Sequence, residues 1–552
     1  MCALAVLLLL LGQIACGDNL SPVPVTGSVD WPTYRGDAGR SGYTEGTLAD
    51  DLTVHWRFTA RHAPRPAWSG RDTRMPFDRA MHPVVSDGRV FFGSSVDCKV
   101  YALDAATGDE RWHFFCDGPI RFAPAVDGDR LFVVSDDGHL YCLATADGSL
   151  LWRIRGGPTG SNVLGNGRLI SRWPARGGPV VGDGVVYFAA GIWPSEGIFI
   201  HAVDAKSGEV LWCNDRTGSL WTAQPHPGAD AASGVAAQGY LVLAGDKLLV
   251  PTGRAVPAVF DRETGELLYF HLQKNGHVGG ADVVAGNGWF LNGVAAFELA
   301  TGNRYTSVPN LSTQLAVAGP TGVVQWESGE LRTLRWEQKT ATDRKGTDQA
   351  TTSLSPLKAV EFPGGSALAV AGKKTISAGT GPEGYLVAIT ETGSGKACWS
   401  SPTEAEPLGL AVADGRLFVA MADGTLECFG GCDAAPSKVA ATNPPESESP
   451  FDNVDLHAKY AEEIVDRTGV EEGYCVDVAC GDGALAYTLA GRTKLRIYAF
   501  DSDPEMVAQA RRNLAAAGLY GARVTVRVAD KGLAFLPDYM ADLVVSGRSV
   551  QE

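Results

Sequence analysis

The sequence predicts a mainly β protein: an eight-bladed β-propeller, with seven blades as the alternative, followed by a partial α/β Rossmann-like domain. Two observations predict the propeller. A module of three short strands recurs along the chain, and a turn motif, Ala-x-Asp-x-x-(Thr/Ser)-Gly-x-x-x-Trp, recurs with it, most clearly at 102–112 and 202–212. A third observation predicts the second domain, because strands alternate with helical segments after residue 455.

The repeat has the size and chemistry of a propeller blade. Trp152 follows Trp112 by 40 residues, the length of a four-stranded blade. The Asp and Thr of the motif can bond a turn whose Gly takes a positive φ, and the Trp can pack between neighbouring sheets. We place the modules near 83–104, 123–143, 179–204, 239–261, 281–298, 313–332, 363–390 and 409–429.

One strand near the N-terminus has no module before it. Leu52 to Phe58 reads as an aromatic strand, whereas the last module lacks a following aromatic strand. We therefore expect the N-terminal strand to complete the last blade and seal the ring, which removes both sheet edges. Modules five to seven are degenerate, which keeps seven blades as the alternative.

Residues 31–430, opening with Trp-Pro-Thr-Tyr-Arg-Gly-Asp at 31–37, resemble the pyrroloquinoline-quinone-like propeller repeat family. The resemblance implies a fold and little more, since many relatives are assembly or scaffold proteins without a cofactor. Quinoprotein dehydrogenases of the family carry an adjacent cysteine pair against the quinone. None of the eleven cysteines here is adjacent to another, so pyrroloquinoline quinone is not expected as a cofactor.

Composition limits partners and location. The formal charge of −16 argues against general binding to nucleic acid or anionic membranes. Residues 1–18 contain an apolar run followed by Cys16, which is typical of a secretory signal and predicts an exported protein, periplasmic or held by a lipid on Cys16. If the segment is not a signal, the protein is cytoplasmic. Cysteine spacing predicts no metal site, and Cys98, Cys116 and Cys142 are either buried thiols or contain one disulfide.

Two long segments between strands stand out. Residues 58–82 combine basic and aromatic side chains on an acidic chain: Arg61, Arg65, Trp68, Arg71, Arg74, Arg79 and His82. A protein or anionic ligand could dock there, and the alternative is a solvated loop that balances local acids. The polar stretch 337–357 is expected to be a flexible insertion.

Residues 431–455 read as a proline-containing acidic linker, and 456–552 as a new domain. In that domain Val476 begins Val-Asp-Val-Ala-Cys-Gly-Asp-Gly, an apolar strand running into a glycine turn. A second strand ends on Asp501 and is followed by Ser-Asp-Pro-Glu-Met. This layout is typical of a nucleotide site in a doubly wound sheet.

These motifs resemble those of class I S-adenosylmethionine-dependent methyltransferases, over about 455–552. The resemblance implies a glycine turn against the methionine part of the cofactor, Asp501 accepting hydrogen bonds from both ribose hydroxyls, and Asp530 near the adenine. Ala479 replaces the usual first glycine. The cofactor-binding residues implied are Asp477, Ala479, Gly481, Gly483, Asp501, Ser502, Met506, Asp530 and Lys531. The alternative is another Rossmann-type binder, with Asp501 on the ribose of a dinucleotide.

The family's acceptor site is built after the fourth strand, which lies near 541–546 here. Catalytic residues and the methyl acceptor therefore remain unknown, and we expect the 552-residue chain alone to be inactive, because methyl transfer needs a complete pocket. Three functions are compatible with the sequence. The first is a propeller scaffold carrying a methyltransferase domain, the second an extracytoplasmic binding or assembly scaffold with a non-catalytic Rossmann piece, and the third, least favoured, a quinoprotein oxidoreductase.

Overall fold

The computed structural model describes residues 29–68, 77–224, 228–253, 255–271, 278–305, 308–309, 311–320, 322–342, 348–432, 449–451, 454–529 and 533–550. The described chain contains two strands ahead of the first blade, β1 (Tyr43–Thr44) and β2 (Leu52–Thr59). The N-terminal segment 1–18, including Cys16, lies outside the described residues.

Blades one to four are antiparallel sheets whose strands pair in chain order. Blade one comprises β3 (Val84–Ser86), β4 (Arg89–Gly93), β5 (Lys99–Asp104) and β6 (Glu110–Phe115). Blade two comprises β7 (Ala125–Asp127), β8 (Arg130–Val134), β9 (His139–Ala144) and β10 (Leu150–Arg155), and a separate hairpin follows, β11 (Asn162–Gly165) and β12 (Arg168–Ser171). Blade three comprises β13 (Ala175–Gly182), β14 (Val185–Ala190), β15 (Phe199–Asp204) and β16 (Val210–Asn214). A second hairpin, β17 (Trp221–Ala223) and β18 (Asp230–Ala232), and the short β19 (Gly239–Tyr240) precede blade four, which comprises β20 (Val242–Ala244), β21 (Lys247–Val250), β22 (Ala258–Asp261) and β23 (Leu267–Tyr269).

Blades five to eight complete the ring. Blade five comprises β24 (Val283–Gly286), β25 (Trp289–Asn292) and β26 (Ala295–Glu298). Blade six comprises β27 (Ala316–Gly319), β28 (Gly322–Glu327), β29 (Glu330–Thr342) and β30 (Asp348–Glu361). Blade seven comprises β31 (Gly364–Ala371), β32 (Lys374–Gly381), β33 (Gly384–Glu391) and β34 (Ala397–Pro402), and blade eight β35 (Pro407–Ala413), β36 (Arg416–Met421) and β37 (Thr425–Gly431). The prediction of eight blades is confirmed.

The ring is sealed by a strand from the N-terminal side, as predicted. β2 pairs antiparallel with β37, with Leu52 opposite Gly431 and Thr59 opposite Thr425. The first strands of successive blades contact one another around the ring, and β35 of blade eight contacts β3 of blade one. The inner strand of each blade thus contacts the inner strands of both neighbouring blades, and the ring is closed.

The turn motif joins neighbouring blades as predicted, and we name this contact between its Gly and a Trp of the preceding blade the staple. In blade one the Asp104 carboxylate accepts the backbone N–H groups of residues 106 and 107, both at 2.9 Å. Gly108 that follows has φ +77° and lies under the ring of Trp56 from the preceding blade. Trp56 Nε1 donates to the carbonyl of Ala105 at 3.0 Å. Trp112 repeats this arrangement on Gly148 of blade two. A side chain on these glycines would strike the indole, so glycine is needed for both conformation and contact.

Residues 29–44, which we name the belt, cross the inner strands of most blades. The belt begins at blade eight, where Val29 N–H donates to Asp414. Its backbone then bonds Val85 of blade one and Val126 of blade two. Further along, carbonyls at 38, 39, 41 and 42 accept N–H groups of Leu243, Ala285, Ala318 and Val370 in blades four to seven, each at 2.9 Å. The belt therefore binds blades that are far apart in sequence to one continuous segment.

One expectation for the propeller was wrong. Residues 337–357 were predicted to be a flexible insertion. The structure does not describe 343–347, but the residues on either side of them belong to β29 and β30. These two strands form one long hairpin, with Thr342 opposite Asp348. The sequence of this stretch is mostly polar and shows no apolar alternation, although Ser353 and Leu354 of β30 are buried. The nine cysteines in the described part of the chain are free thiols. Within that part, no helix is both long and apolar enough to cross a bilayer.

The C-terminal segment is a four-stranded parallel sheet with helices on one face. Its elements are α1 (Val454–Thr468), β38 (Tyr474–Asp477), α2 (Ala484–Arg492), β39 (Arg496–Asp501), α3 (Pro504–Ala516), β40 (Val524–Val528) and β41 (Leu543–Val545). The strand order is β40-β39-β38-β41. Because the strands are parallel and β38 lies between β39 and β41, the carboxyl ends of these three strands meet at one edge, where open α/β sheets bind ligands.

The two faces of this sheet are covered differently. Cys475, Ile497 and Ala499 pack against the three helices. Val476, Tyr498 and Phe500 point the other way and pack against Leu169, which belongs to the β11–β12 hairpin of the propeller, and against residues 533–541. A propeller hairpin thus contributes apolar cover to the second face of the C-terminal sheet.

Polar contacts fix this hairpin on the sheet. Arg527 donates to the carbonyl of Leu169 at 2.9 Å, and Arg496 donates to the carbonyl of Gly167 at 2.6 Å. Arg168, pointing back, donates to the carbonyls of Ser95 and Gly521 at 2.8 and 2.9 Å. These arginines reach backbone carbonyls that would otherwise lie unpaired in the interface. The propeller and the C-terminal segment therefore pack as one body.

Candidate functional site

The candidate site lies where β38, β39 and β41 end. The turn after β38 contains Gly481 with φ +55° and Gly483 with φ +90°, both in the left-handed region that favours glycine. Gly483 precedes α2, so the turn leads directly into a helix N-terminus. Gly481 N–H donates to Asp501 Oδ2 at 2.9 Å, which ties the turn to the end of β39. The glycine turn and the second-strand acid thus form one unit, as the sequence predicts.

Asp477, the last residue of β38, is fully buried. Its Oδ1 accepts the backbone N–H of Gly547 at 2.9 Å, whereas its Oδ2 is buried without a hydrogen-bond partner among the described residues. Burial raises the pKa of Asp477 to about 6, against the lowering effect of hydrogen bonds from Gly547 and Ala479. A buried carboxylate oxygen without a donor is costly, so it marks a position where a ligand donor would be favoured.

Asp501, at the end of β39, has the opposite electrostatics. Burial acts to raise its pKa, but hydrogen bonds from Arg548 and from the backbone of Asp503 and Gly481 outweigh burial and lower it. Arg548 makes two of these bonds, Nε to Oδ2 at 2.9 Å and Nη2 to Oδ1 at 2.7 Å. Asp501 is therefore held as a carboxylate at neutral pH.

The other predicted cofactor residues are placed as follows. Ala479 lies in the turn, and its carbonyl accepts the N–H of Arg548 at 2.8 Å. Ser502 is exposed directly after Asp501, and Met506 is half-buried in the first turn of α3. Asp530 and Lys531 lie outside the described residues. The structure thus brings Asp477, Ala479, Gly481, Gly483 and Asp501 together.

Two residues at this edge were missed by sequence reasoning. Gly547 and Arg548 follow β41 and start a short 3-10 turn, Arg548–Val550. Through their N–H groups and the Arg548 side chain, they contact Asp477, Ala479 and Asp501. The available signal was topological: the residues after a fourth parallel strand must arrive at the edge that already holds both acids.

The predicted basic cluster at 58–82 is divided among several environments. Arg61 donates to the carbonyl of Ala516 at 2.7 Å, and a His62 ring nitrogen lies 2.9 Å from the carbonyl of Gly518, both at the end of α3. Arg79 pairs with Glu406 at 2.6 Å. His82 lies inside the ring, where burial lowers its pKa to about 4. Arg71 and Arg74 lie outside the described residues.

Beneath this loop, two arginines and two aspartates are buried together. Arg121 bonds Asp78 at 2.8 Å and Asp136 at 2.6 Å, and Arg176 bonds Asp136 at 2.8 Å. The Trp68 ring lies 5.1 Å from the Arg176 guanidinium carbon. The four charges balance, which is the condition for burying them.

The residues at the sheet edge fit the cofactor that the motifs imply. S-adenosylmethionine carries an ammonium group that could meet the unpartnered oxygen of Asp477, and two ribose hydroxyls that could meet Asp501. Gly481 and Gly483, both in the left-handed region, leave two positions of this turn without a side chain. The donor set of the site thus suits the methyl donor, with Arg548 bonded to Asp501 in this structure.

Comparison with known families decides the affiliation of the propeller. The family described as outer membrane protein assembly factor BamB matches residues 49–308 and 167–429, more than half of the chain together. The chain belongs to this family. The family described as methyltransferase domain matches residues 475–551. The predicted fusion of a propeller of this repeat type with a methyltransferase domain is therefore confirmed.

Among characterised relatives, the outer membrane protein assembly factor BamB of Yersinia pestis is 32% identical over 135 residues, which cover 24% of this chain and 32% of that protein. Tetrathionate hydrolase of Acidithiobacillus ferrooxidans is 25% identical over 219 residues, covering 37% of this chain and 39% of that protein. The chain thus spans less than two-fifths of the length of either relative.

Solved structures support the fold. A quinohemoprotein alcohol dehydrogenase from Pseudomonas putida HK5 aligns with a TM-score of 0.50 and 14% identity, covering 79% of this chain and 85% of that chain. At this identity the likeness shows the propeller fold alone. A candidate S-adenosyl-L-methionine-dependent methyltransferase from Methanococcus maripaludis is 34% identical over 16% of this chain and 41% of that chain, with a TM-score of 0.16.

Proposed function

We propose that this protein is a propeller scaffold carrying an S-adenosylmethionine-binding domain that serves methyl transfer to an acceptor still unknown. The observation that carries the proposal is the pairing of two unlike acids at one sheet edge. Asp477 is buried, and its Oδ2 has no hydrogen-bond partner among the described residues, whereas Asp501 is held ionised beside the glycine turn. The match of 475–551 to the methyltransferase domain family supports it.

When bound, the cofactor would supply an electrophilic methyl group. The residues of this chain would hold it: Asp477 the ammonium group, the turn at 479–483 the methionine portion, and Asp501 the ribose hydroxyls. Ser502 and Met506 would lie along the nucleoside, and the predicted roles of Asp530 and Lys531 near the adenine belong to the same proposal. In the described part of the chain, no residue is assigned to orient or deprotonate an acceptor.

The binding step can be tested by calorimetry with S-adenosylhomocysteine on the full chain. Wild type is expected to bind, and Asp501→Ala is expected to weaken binding by at least tenfold, the effect of losing about 1.4 kcal/mol of hydrogen bonding. Asp466→Asn is the matched control, because it removes one exposed carboxylate from α1. Equal binding by wild type and Asp501→Ala would contradict the proposed site.

A second candidate function, an extracytoplasmic binding or assembly scaffold in which the C-terminal domain does not transfer methyl groups, is favoured by the family match over 49–429. An exported propeller would also carry its methyltransferase domain away from the compartment where the methyl donor is made. Mass spectrometry of the mature N-terminus tests export and lipid attachment at Cys16. A processed N-terminus together with no binding of S-adenosylhomocysteine would favour the scaffold.

The anionic partner proposed for loop 58–82 has a suitable place between the propeller and α3. A cleft of about 690 Å³ is lined by Arg61, His62, Lys99 and Arg512, and also by the acids Asp97 and Glu110. Among the described residues, Arg61, Lys99 and Arg512 form no ion pair within 4 Å. We expect a labelled oligoglutamate peptide to bind the full chain and Lys99→Ala to weaken it. Unchanged binding in that variant would remove the cleft as the site.

A further inference from the structure

Arg548 covers the carboxylate that the proposed function assigns to the cofactor ribose. Its guanidinium makes two parallel hydrogen bonds, one to each oxygen of Asp501, at 2.9 and 2.7 Å. This bidentate geometry is the strongest that an arginine and a carboxylate form. Asp501 is 1% exposed at its side chain and Arg548 42%, so the arginine lies on the solvent side of the acid.

Counting acceptors shows that the arginine and a ribose compete. A carboxylate offers about four lone-pair positions. Oδ1 of Asp501 already accepts the backbone N–H of Asp503 at 3.0 Å, and Oδ2 accepts that of Gly481 at 2.9 Å. The two bonds from Arg548 take the remaining positions. A vicinal diol can therefore bond Asp501 only after Arg548 withdraws.

Withdrawal needs only a side-chain rotation. The backbone of the turn is held independently, because Gly547 N–H donates to Asp477 and Arg548 N–H donates to the Ala479 carbonyl. The carboxylate of Asp503 is near enough to interact electrostatically with Arg548, together with the stronger effect of Asp501. A second acid is thus available to the displaced guanidinium, and the partly exposed side chain can also reach water.

We propose that Arg548 is an internal competitor of the cofactor, a latch that occupies the ribose-binding acid until a ligand with a vicinal diol displaces it. The inference rests on the proposed function and adds regulation to the same site. The apparent affinity for the cofactor is then reduced by the fraction of molecules in which the latch is open. Salt weakens a partly exposed ion pair, so the latch also makes cofactor affinity increase with ionic strength.

The test is calorimetry of S-adenosylhomocysteine binding to the full chain. Arg548→Ala is expected to bind roughly tenfold more tightly than wild type, as for a latch open in about a tenth of molecules. Arg548→Lys should fall between the two, because an ammonium lacks the two-pronged geometry. Arg467→Ala, which removes an exposed arginine of α1, is the control and should match wild type. Raising sodium chloride should tighten binding to wild type and leave Arg548→Ala unchanged.

The outcomes separate the latch from the proposed function. If Asp501→Ala weakens binding by tenfold or more but Arg548→Ala binds no more tightly than wild type, the latch is wrong and the cofactor site stands. If S-adenosylhomocysteine binds neither wild type nor Arg548→Ala, both are wrong. Thermal unfolding of each variant identifies a loss of fold, and Arg548→Lys, which keeps the charge, then decides the question by its intermediate affinity and its weaker response to salt.

Discussion

The backbone N–H of Leu169, in a hairpin of the propeller, donates a 2.8 Å hydrogen bond to the hydroxyl oxygen of Tyr498, on the second strand of the C-terminal sheet. Leu169 is 1% exposed and packs on the same face as Val476 and Phe500. A sheet that buries only one face with its own helices needs cover on the other. The propeller therefore stabilises the domain that holds the candidate site.

Leu169→Ala should destabilise the C-terminal sheet by about 2–4 kcal/mol, since it removes a buried leucine and leaves a cavity. The measurement is hydrogen exchange of the amides of β38 and β39 in the full chain, which reports local opening. Leu164→Ala is the matched control, because Leu164 lies in the same hairpin and is 37% exposed. Equal exchange in the two variants would show that the hairpin contact contributes nothing to the sheet.

Asp477→Asn should stabilise the sheet near neutral pH. The pKa of Asp477 is raised from 3.8 to about 6, so the folded state favours the protonated acid. The contribution of this carboxyl group to the free energy of unfolding is complete below pH about 4 and is lost as pH rises through 6. The free energy of unfolding falls by about 3 kcal/mol over this range. Hydrogen exchange of β38 at pH 5 and 8 should show this slope in wild type and lose it in Asp477→Asn.

The same variant should weaken binding of S-adenosylhomocysteine, because an amide cannot pair with an ammonium group as a carboxylate does. Stability and binding would then change in opposite directions. Asp466→Asn, at an exposed position, should alter neither. If Asp477→Asn left the pH slope intact, the slope would come from another group and the raised pKa of Asp477 would be contradicted.

Gly148→Ala should destabilise the propeller more than Gly88→Ala does. Both glycines have a positive φ, +72° and +69° respectively, so alanine costs about 1–2 kcal/mol of backbone strain at either position. At Gly148 a new Cβ would also lie 2.5 Å from the Trp112 ring, whereas at Gly88 it would meet nothing within 4 Å. Urea denaturation should therefore separate the variants, and equal midpoints would contradict the staple.

Asp136→Asn should destabilise the propeller by about 3–5 kcal/mol, because it leaves two buried arginines with one remaining acid. Asp129→Asn, which removes a carboxylate that is 77% exposed, should change stability by less than about 1 kcal/mol. Thermal unfolding of the full chain compares the two. A small effect at Asp136 would mean that water reaches the arginines when the acid is neutralised.

Sequence periodicity was sufficient for the architecture and insufficient for its contacts. The Trp and Gly of each repeat could be predicted because the same staple recurs, and Leu52 to Phe58 could be placed because one blade lacked a strand. The long hairpin of blade six was missed, since its mostly polar sequence shows no apolar alternation. Arg548 belongs to no motif, and its pairing with Asp501 arises only when four strands bring their ends together. The contact of Gly167 with Arg496 likewise depends on tertiary packing.

The belt and the sealing strand both lie at the start of the chain, while the blade they complete lies far behind them. Arg57 of β2 bonds Glu427, 370 residues later, at 2.8 Å. During synthesis β2 must therefore wait without its partner strand until the eighth blade has emerged. Ring closure has a large loop entropy to overcome and high contact order, which makes it a slow, late step in folding. Until then β2 is an exposed strand edge that can pair with another chain. Aggregation of the nascent protein therefore competes with the pairing of β2 and β37.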